Sequence, residues 1–477
     1  NAVVSLAQSR GSFSALALST VGPRDATGAF AGNVGYLAIA VAISAVAALG
    51  VALFATSAPA RVACAALLPL FAACLAVNRN MTSLTAAGAG CLVLLVARFR
   101  RRAWIPIGLA LVTLSLTAVA YGPLSQRIRS IAASAGAGDW DRFVTYRGGA
   151  WLAALEMVRE RPLSGFGPGT FGAEFVPHRL AAEMRYRRRF VNPMVTSSYG
   201  ETHCEYLQPF ADAGIPGALA ALGAAGLLLT AAARGARAEV STAGGERVVL
   251  FAILAAGAAA ALTWFPLERP ISAVPLLLAA GRAWRLAADG KGTGGAEGGR
   301  AGRLAGVAAA IVIMAAAWPE IPRYAAERKL RAVQAALRFV LTRTSEVTDP
   351  KAALARLSDL SMGASRALPG DPRPLVLAGG ARFAAGQGDR ALKLFRAALS
   401  TGERAEIDLN LGRACEALGL IDQSRAWFVR GGWVSPPLLA TLLPDIVGPI
   451  RADVARLEAD LTAGRLKAPP PLPETGR

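Results

Sequence analysis

The sequence predicts an all-α protein: a polytopic bundle of transmembrane helices with one large extramembrane loop, followed by a soluble α-helical repeat domain. Three observations predict it. Hydrophobic residues make up 54% of the 477 positions and charged residues only 17%, where a soluble chain carries about 25% charged. The apolar residues gather into Ala-, Leu-, Val- and Gly-rich runs near the ~20 residues that cross a bilayer, where the backbone can be satisfied only as helix. Beyond residue 320 this character gives way to shorter amphipathic segments with Pro and Gly breaks.

The apolar runs fall at residues 35–55, 62–78, 83–97, 104–121, 207–233, 247–265 and 304–318, with a weaker one at 271–284 interrupted by Pro275. Basic clusters set their orientation, because Lys and Arg favour the cytoplasmic side. Arg98, Arg100, Arg101 and Arg102 mark one cytoplasmic connection, Arg234 and Arg237 a second, and Arg282, Arg285, Lys291, Arg300 and Arg303 a third. All three agree on one parity, which puts residues 24–34, 78–82 and 122–206 on the opposite face. In a bacterium this is the periplasmic face of the inner membrane. The chain begins at Asn1, and further spans are expected upstream of it.

The membrane domain is thus expected over 1–319, with a Gly-rich linker at 289–302. A helical domain follows over 320–468, also periplasmic by parity, and then a disordered Pro-rich tail over 469–477. In the helical domain Ala381, Gly386, Asp389 and Phe395 recur as Ala414, Gly419, Asp422 and Phe428. The offset is close to the 34-residue tetratricopeptide period, with small residues where paired helices touch. A generic Ala-rich helical hairpin is the alternative. Such a domain offers protein partners a concave surface.

The net charge of +19 is assigned mainly to helix-end arginines and basic surface, so no nucleic acid partner is expected. The five cysteines form no CxxC pair, and with two histidines in all a His-rich metal site is excluded. No metal or cofactor is expected.

Chemistry is expected in the loop of residues 122–206, whose length is unusual for a structureless connection. Trp151, Leu155 and Val158 suggest an amphipathic helix over 147–160. Gly165, Gly167 and Gly169 in the stretch 162–171 permit tight turns whose amides could hold phosphate oxygens, or form a plain structural turn. Arg185, Arg187, Arg188 and Arg189 form a basic patch fitted to an anionic head group or pyrophosphate, or a solvated strip against anionic lipid. His203, beside Glu201 and Glu205, has the residue type to accept a proton from a hydroxyl, or to anchor a hydrogen bond at the interface. Arg24 and Arg79 lie on the same face, where an arginine near a span end is functional, paired or snorkelling.

In order and spacing, several segments resemble the O-antigen ligase and polymerase superfamily of bacterial membrane glycosyltransferases. They are Arg147 with Trp151, the stretch from Arg161 through Phe171, His203-Cys204-Glu205-Tyr206-Leu207-Gln208, and Gly214-Ile215-Pro216-Gly217. Arg24 through Asn33 looks like the family's Arg-x-x-Gly-x-Phe-x-Asn segment, and the resemblance covers roughly residues 20–285. Two departures stand out: Cys204 replaces the usual Asn, and Arg79 sits between Asn78 and Asn80 rather than Ser and Gly.

The resemblance implies transfer of a glycan from undecaprenyl pyrophosphate to an acceptor hydroxyl on a lipid or glycan, inverting and metal-independent. By the same resemblance His203 acts as base, while Arg147 and Arg79 stabilise the leaving pyrophosphate. Arg24, Asn33, Trp151, Gly165, Gly167, Arg187, Arg188 and Glu205 contribute to substrate binding. Two other readings compete. A transporter should carry charges inside its spans, which these runs lack, and an envelope scaffold would act through its helical repeats.

Overall fold

A computed structural model describes residues 1–10, 28–31, 33–109, 122–191, 193, 199–239, 245–289 and 320–473. The expected run at 304–318, most of that at 104–121, Arg24 and nearly all of the 289–302 linker lie outside the described residues. Within them every regular element is a helix. Four helices are long and apolar enough to cross a membrane: Val34–Phe54, Ala58–Asn78, Met81–Arg102 and Gln208–Ala236. The third had been expected at only 83–97, and its first turn proves longer because Asn80 caps it, accepting from the Ser83 N–H at 3.1 Å.

The chain forms two compact units. The first holds the described residues within 1–147, 161–165 and 201–296. Its helices are α1 (Ala2–Ser9), α2 (Val34–Phe54), α3 (Ala58–Asn78), α4 (Met81–Phe99), α5 (Gly122–Gly136) and α6 (Trp140–Phe143). From the later chain come the helices Gln208–Glu239, Glu246–Ala261 and Pro270–Asp289. α2 is central, packing on α3, α4 and the 246–261 helix, and residues such as Leu37, Ile39 and Val46 are fully buried. Small residues allow this closeness. A Cβ at Gly50 would lie 2.7 Å from Val249, and one at Gly90 2.6 Å from Val46. By contrast α3 and the 208–239 helix leave apolar side chains such as Val62, Leu219 and Leu227 exposed. Broad apolar exposure on such helices fits hydrocarbon as their solvent.

The second unit holds residues 148–160, the described residues of 166–200, and the C-terminal segment. In chain order its helices are α7 (Gly148–Glu160) and α8 (Phe171–Tyr186), followed after the three membrane-unit helices α9 (Gln208–Glu239), α10 (Glu246–Ala261) and α11 (Pro270–Asp289) by α12 (Glu320–Thr342) through α18 (Pro444–Thr462). The intervening helices are α13 (Pro350–Ser365), α14 (Arg373–Ala384), α15 (Gly388–Leu399), α16 (Ala405–Ala417) and α17 (Ile421–Val434). Helices adjacent in sequence from α12 to α18 pack as successive neighbours. Positions that share the 33-residue offset occupy equivalent places. Phe395 lies where a Cβ at Gly379 would be, 2.5 Å away, and Phe428 stands in the same relation to Gly412. Gly386 and Gly419 each follow the first helix of a pair with φ of +77° and +74°.

The loop helices are fastened to this stack by buried charge. Glu183 takes Arg189 at 3.1 Å and Arg179 at 3.8 Å, and also accepts the Phe190 N–H at 2.9 Å. Arg179 then donates to the Val434 carbonyl at 2.9 Å and Arg189 to that of Trp433. The Arg189 guanidinium lies 3.8 Å from the Trp433 ring centre. The boundary expected at 319/320 is therefore not where the compact units divide: α7 and α8 pack with the C-terminal helices. Arg189→Ala should destabilise this unit by about 3 kcal/mol, since it leaves a buried carboxylate short of a partner. Thermal unfolding of the purified protein, followed by circular dichroism, checks this.

Candidate active site

Three chain turns and two helix ends converge at one end of the membrane unit. α3 closes on Arg79, which adopts a left-handed conformation (φ 50°). Asn80 then starts α4, so the α3–α4 hairpin has a two-residue tip. Here the departure from the family's Ser-Arg-Gly context has a local reason, because Asn80 caps α4 where Gly could not. Asn33 caps α2 in the same way, accepting the Gly35 N–H at 2.7 Å. Arg147 follows Thr145 and Tyr146, both with positive φ (58° and 59°). Two consecutive non-glycine residues in that region cost of order 1–3 kcal/mol each and fix the direction in which Arg147 leaves α6.

These segments line a cavity of about 210 Å³ formed by Asn33, Val34, Gly35, Arg79, Asn80, Met81, Thr82, Arg127, Thr145, Arg147 and Trp264. Three arginines face it, and none of these residues is a carboxylate. Arg127, on α5, reaches the Thr145 hydroxyl at 3.5 Å. Arg79 Nε is buried with no hydrogen-bond partner among the described residues. The first turns of α2 and α4 also border the cavity, adding the positive ends of two helix dipoles. A site of this composition is suited to an anion with several oxygens, and a pyrophosphate fits that description.

Trp264 joins the cavity to His203. Gly35 makes room for the indole, since a Cβ there would sit 2.5 Å from Trp264 Cζ2. A Thr82–Thr263 hydroxyl contact of 2.8 Å holds the preceding residue against α4. Trp264 stacks on Phe265 with ring centres 4.9 Å apart. The His203 ring lies 5.6 Å from Trp264 and 5.1 Å from Phe265, and the Arg147 guanidinium lies 5.4 Å from the Trp264 ring centre. Arg269 packs on Tyr36 and Phe265 and pairs with Glu201.

His203 itself is held at φ 54° in a tight turn. Thr202 Oγ1 bonds to both the carbonyl and the N–H of Cys204, and the Gln208 side chain accepts the Thr202 N–H at 2.9 Å while donating to Asp212. The Gln of the motif is therefore a brace for the histidine turn. Glu205 supplies another, as its carboxylate accepts the Leu267 N–H at 2.5 Å and its own N–H reaches the Ala261 carbonyl at 2.9 Å. Burial, with the charges of Arg147 and Arg269, lowers the His203 pKa to about 3, so the imidazole is neutral at neutral pH. Burial also raises Glu205 and Glu268 to about 7.

Of the residues singled out in the sequence, Asn33, Arg79 and Arg147 line the cavity, and His203 adjoins it through Trp264. Gly165 does not line it. With φ +62°, it packs where a Cβ would meet Asp212 C at 2.5 Å, and Gly214 faces the Leu163 backbone reciprocally. The Ile215 N–H bonds to the Pro162 carbonyl at 2.7 Å, so this part of the Gly-rich stretch docks segment 161–165 onto the break in α9. Gly165→Ala should therefore lower the melting temperature clearly more than Gly167→Ala, whose nearest neighbour would be Thr170 at 3.7 Å. Melting curves of the two variants side by side decide it.

Trp151, Gly167, Arg187 and Arg188 belong to the other unit. There Arg187 ends α8 with φ 51° and lies against Gly464, and Arg188 lies 5.7 Å from the Phe190 ring. In the same basic stretch Arg185 pairs with Glu156 at 2.8 Å. Arg127, Thr145, Trp264, Phe265 and Arg269 were not foreseen. The signal that could have found the last three is an aromatic pair and an arginine at a span end, on the face that parity assigned to the loop.

A helical membrane protein with an anion-fitted cavity at the ends of its spans, beside a buried neutral imidazole, is the class that fold and site define. Residues 64–222, a third of the chain, match the family model described as O-antigen ligase. The matched segment contains Arg79, Arg127, Arg147 and His203. Similarity to that family suggests a membrane glycan transferase acting on a lipid-linked glycan. No curated protein matches the chain.

Proposed function

We propose that the membrane unit transfers a glycan from undecaprenyl pyrophosphate to an acceptor hydroxyl, with inversion at the anomeric carbon and without a metal, on the periplasmic side of the inner membrane. The observation that carries this reading is the cavity lined by Arg79, Arg127 and Arg147 next to His203. Cleavage of the sugar–phosphate bond sends its electron pair to the terminal phosphate oxygen and adds one negative charge to the departing pyrophosphate. The three guanidinium groups and the helix ends of α2 and α4 stabilise that charge, with least reorganisation where water is excluded. Asn33 and Asn80 fix the helix ends that face it.

His203 takes the proton of the attacking hydroxyl. In the free protein its basicity is low because it is buried and because Arg147 and Arg269 stand close by. A bound pyrophosphate neutralises Arg147 and raises the imidazole's proton affinity. The base is thereby strengthened only when donor is present, which limits loss of the donor to water. Arg24, Trp151, Gly167, Arg187 and Arg188 remain candidates for contacts to the glycan. The C-terminal helices, read as tetratricopeptide-like repeats, serve protein partners on the same face.

The test is made in cells. Loss of the gene should accumulate undecaprenyl-pyrophosphate-linked glycan, and Arg127→Ala should accumulate it as well while still reaching the membrane. Wild-type levels of the lipid-linked intermediate in both strains would remove the proposal. The transporter reading predicts accumulation on the cytoplasmic side instead, which protection of the glycan from added periplasmic glycosidase would reveal.

A further inference from the structure

The chain that follows α18 returns to the helical stack. Arg465 and Leu466 close the helix by donating their N–H groups to the Asp460 carbonyl at 2.8 and 3.1 Å. From Lys467 to Pro473 there is no regular structure, and among the described residues this backbone makes no hydrogen bond to other backbone. Prolines at 469, 470, 471 and 473 restrict φ and remove donors, which favours the extended polyproline II conformation with its carbonyls free. Pro470 is nevertheless buried, while Pro471 and Leu472 are exposed. Its seat is a buried ion pair. Arg430, on α17, is 4% exposed, and Glu403, in the α15–α16 connection, 6%. Nε and Nη2 of Arg430 donate to the two Glu403 oxygens at 2.5 and 2.7 Å. The third guanidinium nitrogen, Nη1, donates to the Pro470 carbonyl.

Asp408, on α16, does not compete for that nitrogen. Burial and the charge of Glu403, against the pull of Arg430, hold its carboxyl well above the usual carboxylate range. A charge-assisted donor, fixed in direction by its own carboxylate partner, is thus aimed at one main-chain carbonyl. The contact reads a carbonyl that any extended chain offers, and the burial beside it reads a proline ring. With no backbone ladder to break, displacing the segment costs one polar contact and one buried ring. We propose that Arg430 and Glu403 form a recognition site for proline-rich, polyproline II segments of partner proteins, which the chain's own residues 467–473 occupy until a partner displaces them. This rests on reading the C-terminal helices as a partner surface and narrows it to one place and one ligand chemistry. The held segment sets a threshold. Linked through α18, it competes at an effective concentration of about 1 mM, so only a partner of high affinity or high local concentration gains the site.

The experiment uses the protein in phosphatidylcholine nanodiscs and a fluorescein-labelled peptide, Lys-Ala-Pro-Pro-Pro-Leu-Pro, read by anisotropy. Two forms open the site: one ending at Leu466, which keeps the α18 cap, and a full-length Pro469→Gly/Pro470→Gly/Pro471→Gly variant. The second keeps the test valid should shortening disturb the fold. Both should bind the peptide, and with a Kd near 10 µM the wild type should bind it about a hundredfold more weakly. Decaproline should compete within about tenfold of the unlabelled peptide, and a peptide with its three consecutive prolines replaced by glycine at least about tenfold worse than that. A diazirine in place of the Leu472 side chain should crosslink the peptide to residues 403–434. No binding to either opened form, equal binding to wild type and opened forms, failure of decaproline to compete, or crosslinks outside 403–434 would overturn the proposal. These readouts need no turnover, so their failure leaves the transferase reading standing. Conversely, persistent transfer in Arg147→Ala and His203→Ala would remove that reading while leaving peptide binding intact.

Discussion

Arg147→Ala should lower glycan transfer by about 10²–10³-fold, the cost of removing one preorganised donor from a site of developing negative charge. Arg147 is held between the strained Thr145–Tyr146 turn and the Trp264 face. Arg147→Lys should recover only a small part, because a point charge cannot span two phosphate oxygens as a guanidinium does. Transfer assayed with purified protein and lipid-linked donor gives the number. A loss smaller than about threefold would mean that the departing charge is borne elsewhere.

His203→Ala should cost about 10²–10⁴-fold in turnover, the usual range for a general base, with donor affinity unchanged. The pH profile discriminates further. With its folded pKa near 3, His203 in the free protein is neutral throughout pH 5–8. The rate constant kcat/KM, which reports the free protein, should then show no acid limb from this residue in that window. Bound pyrophosphate should raise its pKa, so kcat should show an acid limb at higher pH than kcat/KM does.

Stability carries the matching sign. A histidine whose folded pKa lies below its unfolded 6.5 favours the folded state above pH 6.5, and that contribution is lost as pH falls from 6.5 towards 3. Glu205 and Glu268, raised from 4.5 to about 7, act oppositely: the folded state gains relative stability as pH falls from 7 to 4.5. His203→Asn should therefore melt with less acid sensitivity between pH 6.5 and 5 than the wild type.

Much of the bundle was legible because lipid imposes one rule on sequence: long apolar runs become helices. Val34–Phe54 and Ala58–Asn78 fall within a few residues of the expected runs. The weaker runs were harder, since α10 and α11 are shorter or more charged than a span alone requires. His203, Arg79 and Arg147 were found through motif order, not through any property of those residues taken singly.

Arg127 was missed because nothing local marks it. It lies on an ordinary amphipathic helix and reaches the site only through the fold. Trp264 and Phe265 were absorbed into the end of an apolar run, where an aromatic pair looks like interfacial anchoring. Among the arginines at 185–189, Arg185 and Arg189 pair with Glu156 and Glu183, which are separated from them in sequence and meet them only after α7 and α8 pack. The glycines at 165 and 214 likewise answer each other across the chain, a relation that no local pattern discloses.

The central claim is that the arginine-lined cavity and His203 form one site from which a pyrophosphate departs. Donor binding and single-turnover transfer, measured on the same purified preparations of wild type, His203→Ala and an Arg79→Ala/Arg127→Ala double variant, test it most directly. The account predicts that His203→Ala binds undecaprenyl-pyrophosphate-linked glycan as the wild type does yet fails to transfer it, while the double variant loses both. Wild-type donor affinity in the double variant, or wild-type transfer in His203→Ala, would contradict it.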